Sequence, residues 1–321
     1  MLVTTGTRQV VMSHVRAASV QASPVMLDRN ATIDRVAELT AKAAGDGAQI
    51  ILFSEAFVPG YPDWVWRTGP WRDTDWYSRL VDQAVMVPSD ATERLGAIAD
   101  DHSIYLAVGI DEREPSGGTL YNSLLYFGSD GELLGCHRKL MPTGGERLVW
   151  GSGDGSTLTV IDTPFGRVGG LICWENYMPM ARMAMYAQGI DVLLAPTWDN
   201  TDVWVPTLQH IAREGRCFVI GCTPCQHGSD VLADLPDRSD LYPGDEDDWM
   251  SKGNSSIVGP DGDLLAGPLV GSVGIVIADL DLGRISSARR QFDPVGHYAR
   301  PDVFSLQVDT RPKPAVSFQG R

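Results

Sequence analysis

VGGLICWENYMPMAR, residues 168–182, decides how this chain is read. Val168–Ile172 is an apolar run of the kind that forms a buried strand, and a cysteine stands at its end. Pro179, a residue tolerated in the first turn of a helix, lies shortly beyond. The stretch therefore predicts a strand, a corner and a helix, with Cys173 at the corner. A thiol placed there faces helix amides, where its thiolate is stabilised and open to a ligand. A small buried hydrophobe fits the same pattern, so the local residues leave both readings open. Thiolate chemistry also needs a proton acceptor. Among the histidines only His137 flanks a motif, which gives a Cys–His pair little support.

Outward from the corner, short apolar runs alternate with helical patterns. RAASVQA (16–22), AQIILFSEA (48–56), IYLAVGI (104–110), DVLLAP (191–196) and CFVIGC (217–222) predict strands. ATIDRVAELTAKAA (31–44) places Ile33, Val36, Ala37, Ala41 and Ala44 on one helical face, with Asn30 as the expected N-cap. ATERLGAIADDH, MARMAMYAQG and PTLQHIAREG predict further helices. YNSLLYFGSDGELLGCHRK (121–139), STLTVIDTPFGRVGGLIC (156–173) and SSIVGPDGDLLAG (255–267) predict strand–turn–strand units. Strands alternating with helices, without a Pro- or Gly-rich linker, predict an α/β fold in one domain over residues 1–321, with 1–14 and 308–321 as tails. The hairpins make the sheets mixed. Residues 228–250, acidic and turn-rich, are expected to be a long surface loop that contacts a partner subunit or covers a site.

The chain has 321 residues, 43% hydrophobic and 21% charged, which suits a globular protein with a sizeable core. A formal charge of −15 argues against nucleic acid or an anionic membrane as partner. The longest apolar runs are far too short to span a bilayer. The opening residues lack a continuous apolar leader, and the cysteine count is odd at five, so reduced thiols and a cytoplasmic location are expected.

Glu55 ends the buried run QIILFSE, where a carboxylate is costly unless it is paired or serves as an acid–base group of raised pKa. A loop-starting surface residue is the plainer alternative. Lys139 closes CHRK after a strand, and Glu146 follows in KLMPTGGERLVWGSGDG; each, taken alone, reads as solvated. Together these residues form a pattern. FSEAFVPGYP, HRKLMPTGGERLVWGSGDG and GGLICWENYMP closely resemble the three catalytic blocks of the nitrilase branch of the carbon–nitrogen hydrolase superfamily. LQHIAREGRCFVIGC, SSIVGPDG and GHYARPDVFSL extend the resemblance over about residues 16 to 307.

The resemblance implies a four-layer αββα sandwich and a homo-oligomer, a dimer or larger. It implies a Glu–Lys–Cys triad at Glu55, Lys139 and Cys173, with Glu146 as an additional glutamate supporting the lysine and the substrate. The implied activity is hydrolysis of a small-molecule nitrile to the acid and ammonia through a covalent cysteine intermediate, with no metal or organic cofactor. The backbone N–H of Trp174 would stabilise charge on the nitrogen, and Trp198 in APTWDN would line the site. An aliphatic amidase and a cyanide-hydrolysing enzyme share the same blocks. CWEN after the nucleophile favours the nitrilase, since amidase relatives more often carry Tyr-Asp there. The aromatics of YPDWVWRTGPW suit either a pocket wall for an aryl nitrile or plain loop packing.

Other readings carry less. Cys217, Cys222, Cys225 and His227 contain a single Cys-x-x-Cys without a second pair, a weak zinc signal. GSGDG lacks the Lys-Ser/Thr of a phosphate loop and reads as a turn. A family member reduced to a binding or scaffold role conflicts with the presence of every catalytic-type residue.

Overall fold

The structure, a computed structural model, describes residues 12–314 and 316, apart from 116, 232, 233, 236 and 246. The chain opens with β1 (His14–Gln21), α1 (Arg29–Gly45) and β2 (Ile50–Phe53). It continues through α2 (Thr74–Gln83), α3 (Asp90–His102), β3 (Tyr105–Arg113), β4 (Leu120–Phe127) and β5 (Leu133–Arg138). A second half follows with β6 (Val160–Thr163), β7 (Gly166–Gly170), α4 (Pro179–Ala187), β8 (Val192–Pro196), α5 (Trp204–Gly215) and β9 (Phe218–Cys222). The small ribbon of β10 (Cys225–His227) and β11 (Trp249–Lys252) brackets α6 (Arg238–Leu241). Then come β12 (Ser255–Val258), β13 (Leu264–Leu269), β14 (Gly274–Asp281) and α7 (Gly283–Gln291).

Two six-stranded sheets result, ordered β14-β1-β2-β3-β4-β5 and β13-β12-β9-β8-β7-β6. Each has three parallel strands at its centre, β1-β2-β3 and β7-β8-β9, because helical crossovers link them. Tight turns make the outer pairs antiparallel, as at β3-β4, β4-β5, β6-β7 and β12-β13. The expected hairpins are all present, and the sheets are mixed.

The inner faces pack on each other through residues such as Leu52, Leu124, Val168, Leu194 and Ile220. On one outer face Ile33 and Val36 of α1 and Leu95 of α3 cover Ile51 and Phe53. On the other, Met185 of α4 and Leu208 and Ile211 of α5 cover Leu193 and Val219. The order of layers is therefore α-β-β-α, and each such buried aliphatic side chain contributes about 1.5–3 kcal/mol. Among the described residues no helix is long and apolar enough to cross a membrane.

Several local expectations need correction. The N-cap of α1 is Asp28, whose side chain accepts from the Ala31 N–H at 3.0 Å. Asn30 lies inside the helix and accepts from Arg94 instead. Of the expected apolar face of α1, Ile33 and Val36 are buried and Ala37 and Ala44 pack against the same core, but Ala41 is exposed, and Thr32, Thr40 and Ala43 are buried as well. Of the expected N-terminal tail, residues 1–11 lie outside the described residues, while His14 already pairs with Asp281 and the Met12 N–H bonds the Pro164 carbonyl. Near the other end, residues 308–314 are exposed, yet the Lys313 N–H bonds the Asp154 carboxylate. The 228–250 segment is not simply a surface loop. Val231, Leu235 and Tyr242 are buried in an aromatic cap with Trp64 and Trp76. Arg67 pins it there, bonding Asp63, Asp248 and the Leu241 carbonyl.

Candidate active site

Four strands deliver chemistry to one edge of the sandwich. Glu55 lies just beyond β2, Lys139 just beyond β5, Cys173 just beyond β7, and Thr197 and Trp198 just beyond β8. The first sheet thus supplies the carboxylate and the ammonium, and the second supplies the thiol. Gly109 on β3 permits the Glu55 turn to press inward, because a Cβ there would meet the Ser54 carbonyl at 2.2 Å. Ala56 and Cys173 both take left-handed backbone angles, φ of 46° and 53°. Such angles cost a non-glycine residue roughly 1–2 kcal/mol and are held in place by surrounding contacts. The corner predicted at Cys173 is present as a single helical turn, Cys173–Tyr177, followed by α4 with Pro179 at its start.

Glu55, Lys139, Glu146 and Cys173 are all buried. The Lys139 ammonium donates to Glu55 Oε1 at 2.6 Å and to Glu146 Oε2 at 2.7 Å. Ligand atoms of Glu55, Glu146 and Cys173 lie within 4.8 Å of one another. Glu55 has further donors: the Asn122 amide on Oε1 and the Trp198 backbone N–H on Oε2, each at 2.7 Å. Glu146 also accepts from the Thr143 N–H at 2.6 Å and the Tyr61 hydroxyl at 2.8 Å. The sequence-derived quartet is therefore assembled in one place.

Burial pushes the Glu55 carboxyl above the usual range; Lys139 opposes this and Glu146 adds to it. Burial works against the Lys139 ammonium, yet Glu55, Cys173 and Glu146 together raise its pKa. The Cys173 thiol is pushed up by burial and then by Glu55, while Lys139 and a hydrogen bond with Thr197 pull it back. A resting neutral thiol, a basic carboxylate and a fixed ammonium follow. The two carboxylates and the thiol would also offer three ligands to a metal, but Lys139 already occupies the space between the carboxylates. Cys217, Cys222, Cys225 and His227 form no comparable cluster among the described residues, and Cys222 donates its thiol proton to the Val20 carbonyl.

Trp198 and Trp174 differ in placement. The Trp198 ring stacks on Tyr61 with centroids 4.2 Å apart, so it braces the group that holds Glu146. The Trp174 side chain is half exposed and its indole N–H bonds Asp199. Its backbone N–H belongs to a first helical turn, where such groups lack intrahelical partners.

Sequence reasoning missed Tyr61, Asn122, Thr197 and a buried pair behind the site. Tyr61 lies in the aromatic run already singled out, but nothing in its spacing distinguishes a hydrogen-bonding hydroxyl from a wall. The pair is His137 with Glu175. His137 Nδ1 faces the Thr157 carbonyl at 2.7 Å, and Nε2 lies 3.0 Å from Glu175 Oε2. Glu175 also accepts from the Leu140 and Ile172 N–H groups, both at 2.7 Å. Both ring nitrogens thus face acceptors, which makes His137 an imidazolium; burial opposes its charge and Glu175 raises its pKa. The pair ties the residue after Lys139 to the residue before Cys173.

Comparison with known proteins agrees with this geometry. The family model for carbon–nitrogen hydrolases matches residues 16–290. The chain is 47% identical to an aliphatic nitrilase of Sinorhizobium fredii (strain HH103), over 95% of this chain and 99% of that one. It is 44% identical to nitrilase 1 of Arabidopsis thaliana, over 95% and 89% of the two chains. Among solved structures, Saccharomyces cerevisiae Nit3, a member of branch 10 of the nitrilase superfamily, superposes with a TM-score of 0.72 at 22% identity, covering 90% of this chain and 98% of that one. A fold of two mixed sheets between helical layers, with a matching family model and relatives of this similarity, leads to one conclusion: the chain belongs to the carbon–nitrogen hydrolase family, in its nitrilase branch.

Proposed function

We propose that the protein is a nitrilase that uses Glu55, Lys139, Cys173 and Glu146 to convert a nitrile into its carboxylic acid and ammonia. The observation that carries the reading is the Lys139 ammonium held between two buried carboxylates beside the Cys173 thiol. The likeness to a relative named aliphatic nitrilase supports it and makes aliphatic nitriles the first substrates to try.

A nitrile carbon is a weak electrophile, so it needs an activated nucleophile and a proton for its nitrogen. Glu55 takes the thiol proton as Cys173 sulfur bonds the carbon. Lys139 and the Trp174 N–H stabilise charge on the nitrogen; one such donor is worth about 3 kcal/mol of barrier. Glu55 returns the proton and a thioimidate results. Water, deprotonated by Glu55, adds to that carbon, and the tetrahedral species expels ammonia to leave a thioester. A second water then cleaves the carbon–sulfur bond, releasing the acid and restoring the thiol. One carboxylate alternates between base and acid, which its raised pKa suits. Glu146 holds Lys139 in place and offsets its charge. No step calls for a metal or an organic cofactor.

The scheme is tested by ammonia release over a panel of nitriles and amides, with products identified. Nitrile-only release supports the nitrilase, and amide-only release replaces it with an amidase. Folded protein inert on the whole panel replaces both with a binding role. Cys173→Ala must abolish turnover and keep the fold; activity in that variant refutes the covalent scheme. Relatives named bifunctional nitrilase/nitrile hydratase, such as one from Lupinus angustifolius at 43% identity over 95% of this chain, make amide an important product to measure.

The same reading extends to setting. Free cysteines, including four buried ones, suit a reducing cytoplasm. The exposed Tyr177, Met180 and Val203 around α4 and α5 suit a homo-oligomer joined through that helical layer, and one domain supplies the whole site.

A further inference from the structure

Asp111 lies on β3 beside the site, fully buried, and neither the triad nor Glu146 accounts for it. Its Oδ1 accepts from the Trp150 indole N–H at 2.7 Å. Its Oδ2 has no hydrogen-bond partner. Directly opposite, on antiparallel β4, stands Asn122. Register partners of this kind project from the same face of a sheet with Cβ atoms about 5 Å apart. Asn122 gives its amide N–H to Glu55, and its own Oδ1 is likewise buried without a partner. Two acceptors on paired residues are thus both orphaned, an arrangement that costs roughly a hydrogen bond's desolvation at each atom. One proton relieves both.

We propose that Asp111 is a protonated carboxylic acid that donates from Oδ2 to Asn122 Oδ1, and so fixes the Asn122 amide with its N–H toward Glu55. Asp111 is then a positioning residue, acting on the base through Asn122. The inference rests on the reading of Glu55 as the general base. The surroundings suit a neutral acid. Glu55, from the end of β2, is the charged group that acts on Asp111, and it disfavours a second negative charge. Lys139 is engaged by Glu55 and Glu146, and no cation pairs with Asp111 among the described residues. Glu112, the next residue on β3, is taken up on the other face by Ser123 and Arg138. Burial pushes the Asp111 carboxyl well above the usual carboxylate range. Were Asp111 ionised, the Asn122 amide would be drawn toward it and away from Glu55.

The test compares Asp111→Leu with Asp111→Asn in the full-length enzyme. Asn122 holds the Glu55 pKa down, so loosening it with leucine moves the acid limb of kcat/KM upward; the carboxylate, no longer held in place, also loses its aim at the thiol, which cuts kcat about tenfold or more with KM little changed. Asparagine supplies an N–H donor where the acid had O–H, keeps an oxygen for Trp150, and rescues both the limb and kcat. An ionised Asp111 predicts the opposite sign: removing its charge lowers the limb in either variant, and that result overturns the proposal. Infrared difference spectra of wild type against Asp111→Asn give a readout without turnover. Loss of a protonated-carboxyl C=O band supports the proposal even in an enzyme that hydrolyses no nitrile, and absence of such a band in wild type overturns it. Should the leucine variant fail to fold, the asparagine variant and the spectra still decide.

Discussion

Replacing Glu146 by glutamine removes a charge while leaving the packing almost intact. The amide oxygen remains for Lys139 and Thr143, while the NH2 group faces the Tyr61 hydroxyl, which already accepts from the Trp66 indole N–H and loses the acceptor of its own proton. What changes is the field at Glu55. Two carboxylates whose oxygens lie within 4.8 Å repel by about 3 kcal/mol at an effective dielectric constant near 20. Relaxation and the shared ammonium reduce it, and losing what is left lowers the Glu55 pKa. The sign follows directly. Glu146 raises the Glu55 pKa, so its loss lets Glu55 ionise at lower pH, and the acid limb of kcat/KM moves down. Lys139 also loses a group that raises its pKa. A less basic Glu55 takes the thiol proton less readily, so kcat falls at the plateau. The assay is initial-rate ammonia release across pH for wild type and variant, with circular dichroism as a check on folding. An acid limb that stays in place, whatever happens to kcat, refutes the coupling of the two carboxylates.

Tyr61→Phe keeps the stack on Trp198 but deletes the hydroxyl donated to the buried Glu146, a loss of about 1.5–3 kcal/mol. The expected result is a fall in kcat of about tenfold or more with KM little altered, and a wild-type kcat would detach Tyr61 from the chemistry. Glu175→Gln sets an NH2 group against the Ile172 or Leu140 N–H and strands the His137 imidazolium. Breaking a buried pair from one side costs about 3–5 kcal/mol, so the urea midpoint should drop sharply; unchanged stability would mean that the pair carries no charge.

The elements that were legible are those whose periodicity is local. IILF, VLLAP and FVIGC became central strands because a strand buried on both faces reads as a continuous apolar run. The Ser-Asp-Gly and Pro-Asp-Gly turns announced their hairpins. Glu55, Lys139 and Cys173 were legible because a polar residue at the end of an apolar run is locally anomalous, and because three such blocks occur in one family's order. Tyr61 and Asn122 carry no such anomaly. Asn122 sits within a hairpin strand, and its meaning depends on a carboxylate 67 positions away. The His137–Glu175 pair spans 38 positions and became visible only when β5 and the Cys173 turn were juxtaposed. β14, which closes the first sheet against β1 across more than two hundred residues, was missed although GIVIADLD is strand-like, and nothing local to it names so distant a partner.

The division of labour between the sheets bears on how the protein is made. Glu55 and Lys139 precede Cys173 in the chain, and the thiol waits on a different layer from its base. On the ribosome, or in a copy that has sprung open along the seam between the layers, that sulfur is an ordinary thiol with no neighbour to deprotonate it. On the proposed reading of Glu55 as base, turnover of a nitrile begins only when the layers close; until then Cys173 is an exposed thiol open to oxidants and stray electrophiles, and closure, which buries it, also withdraws it from them.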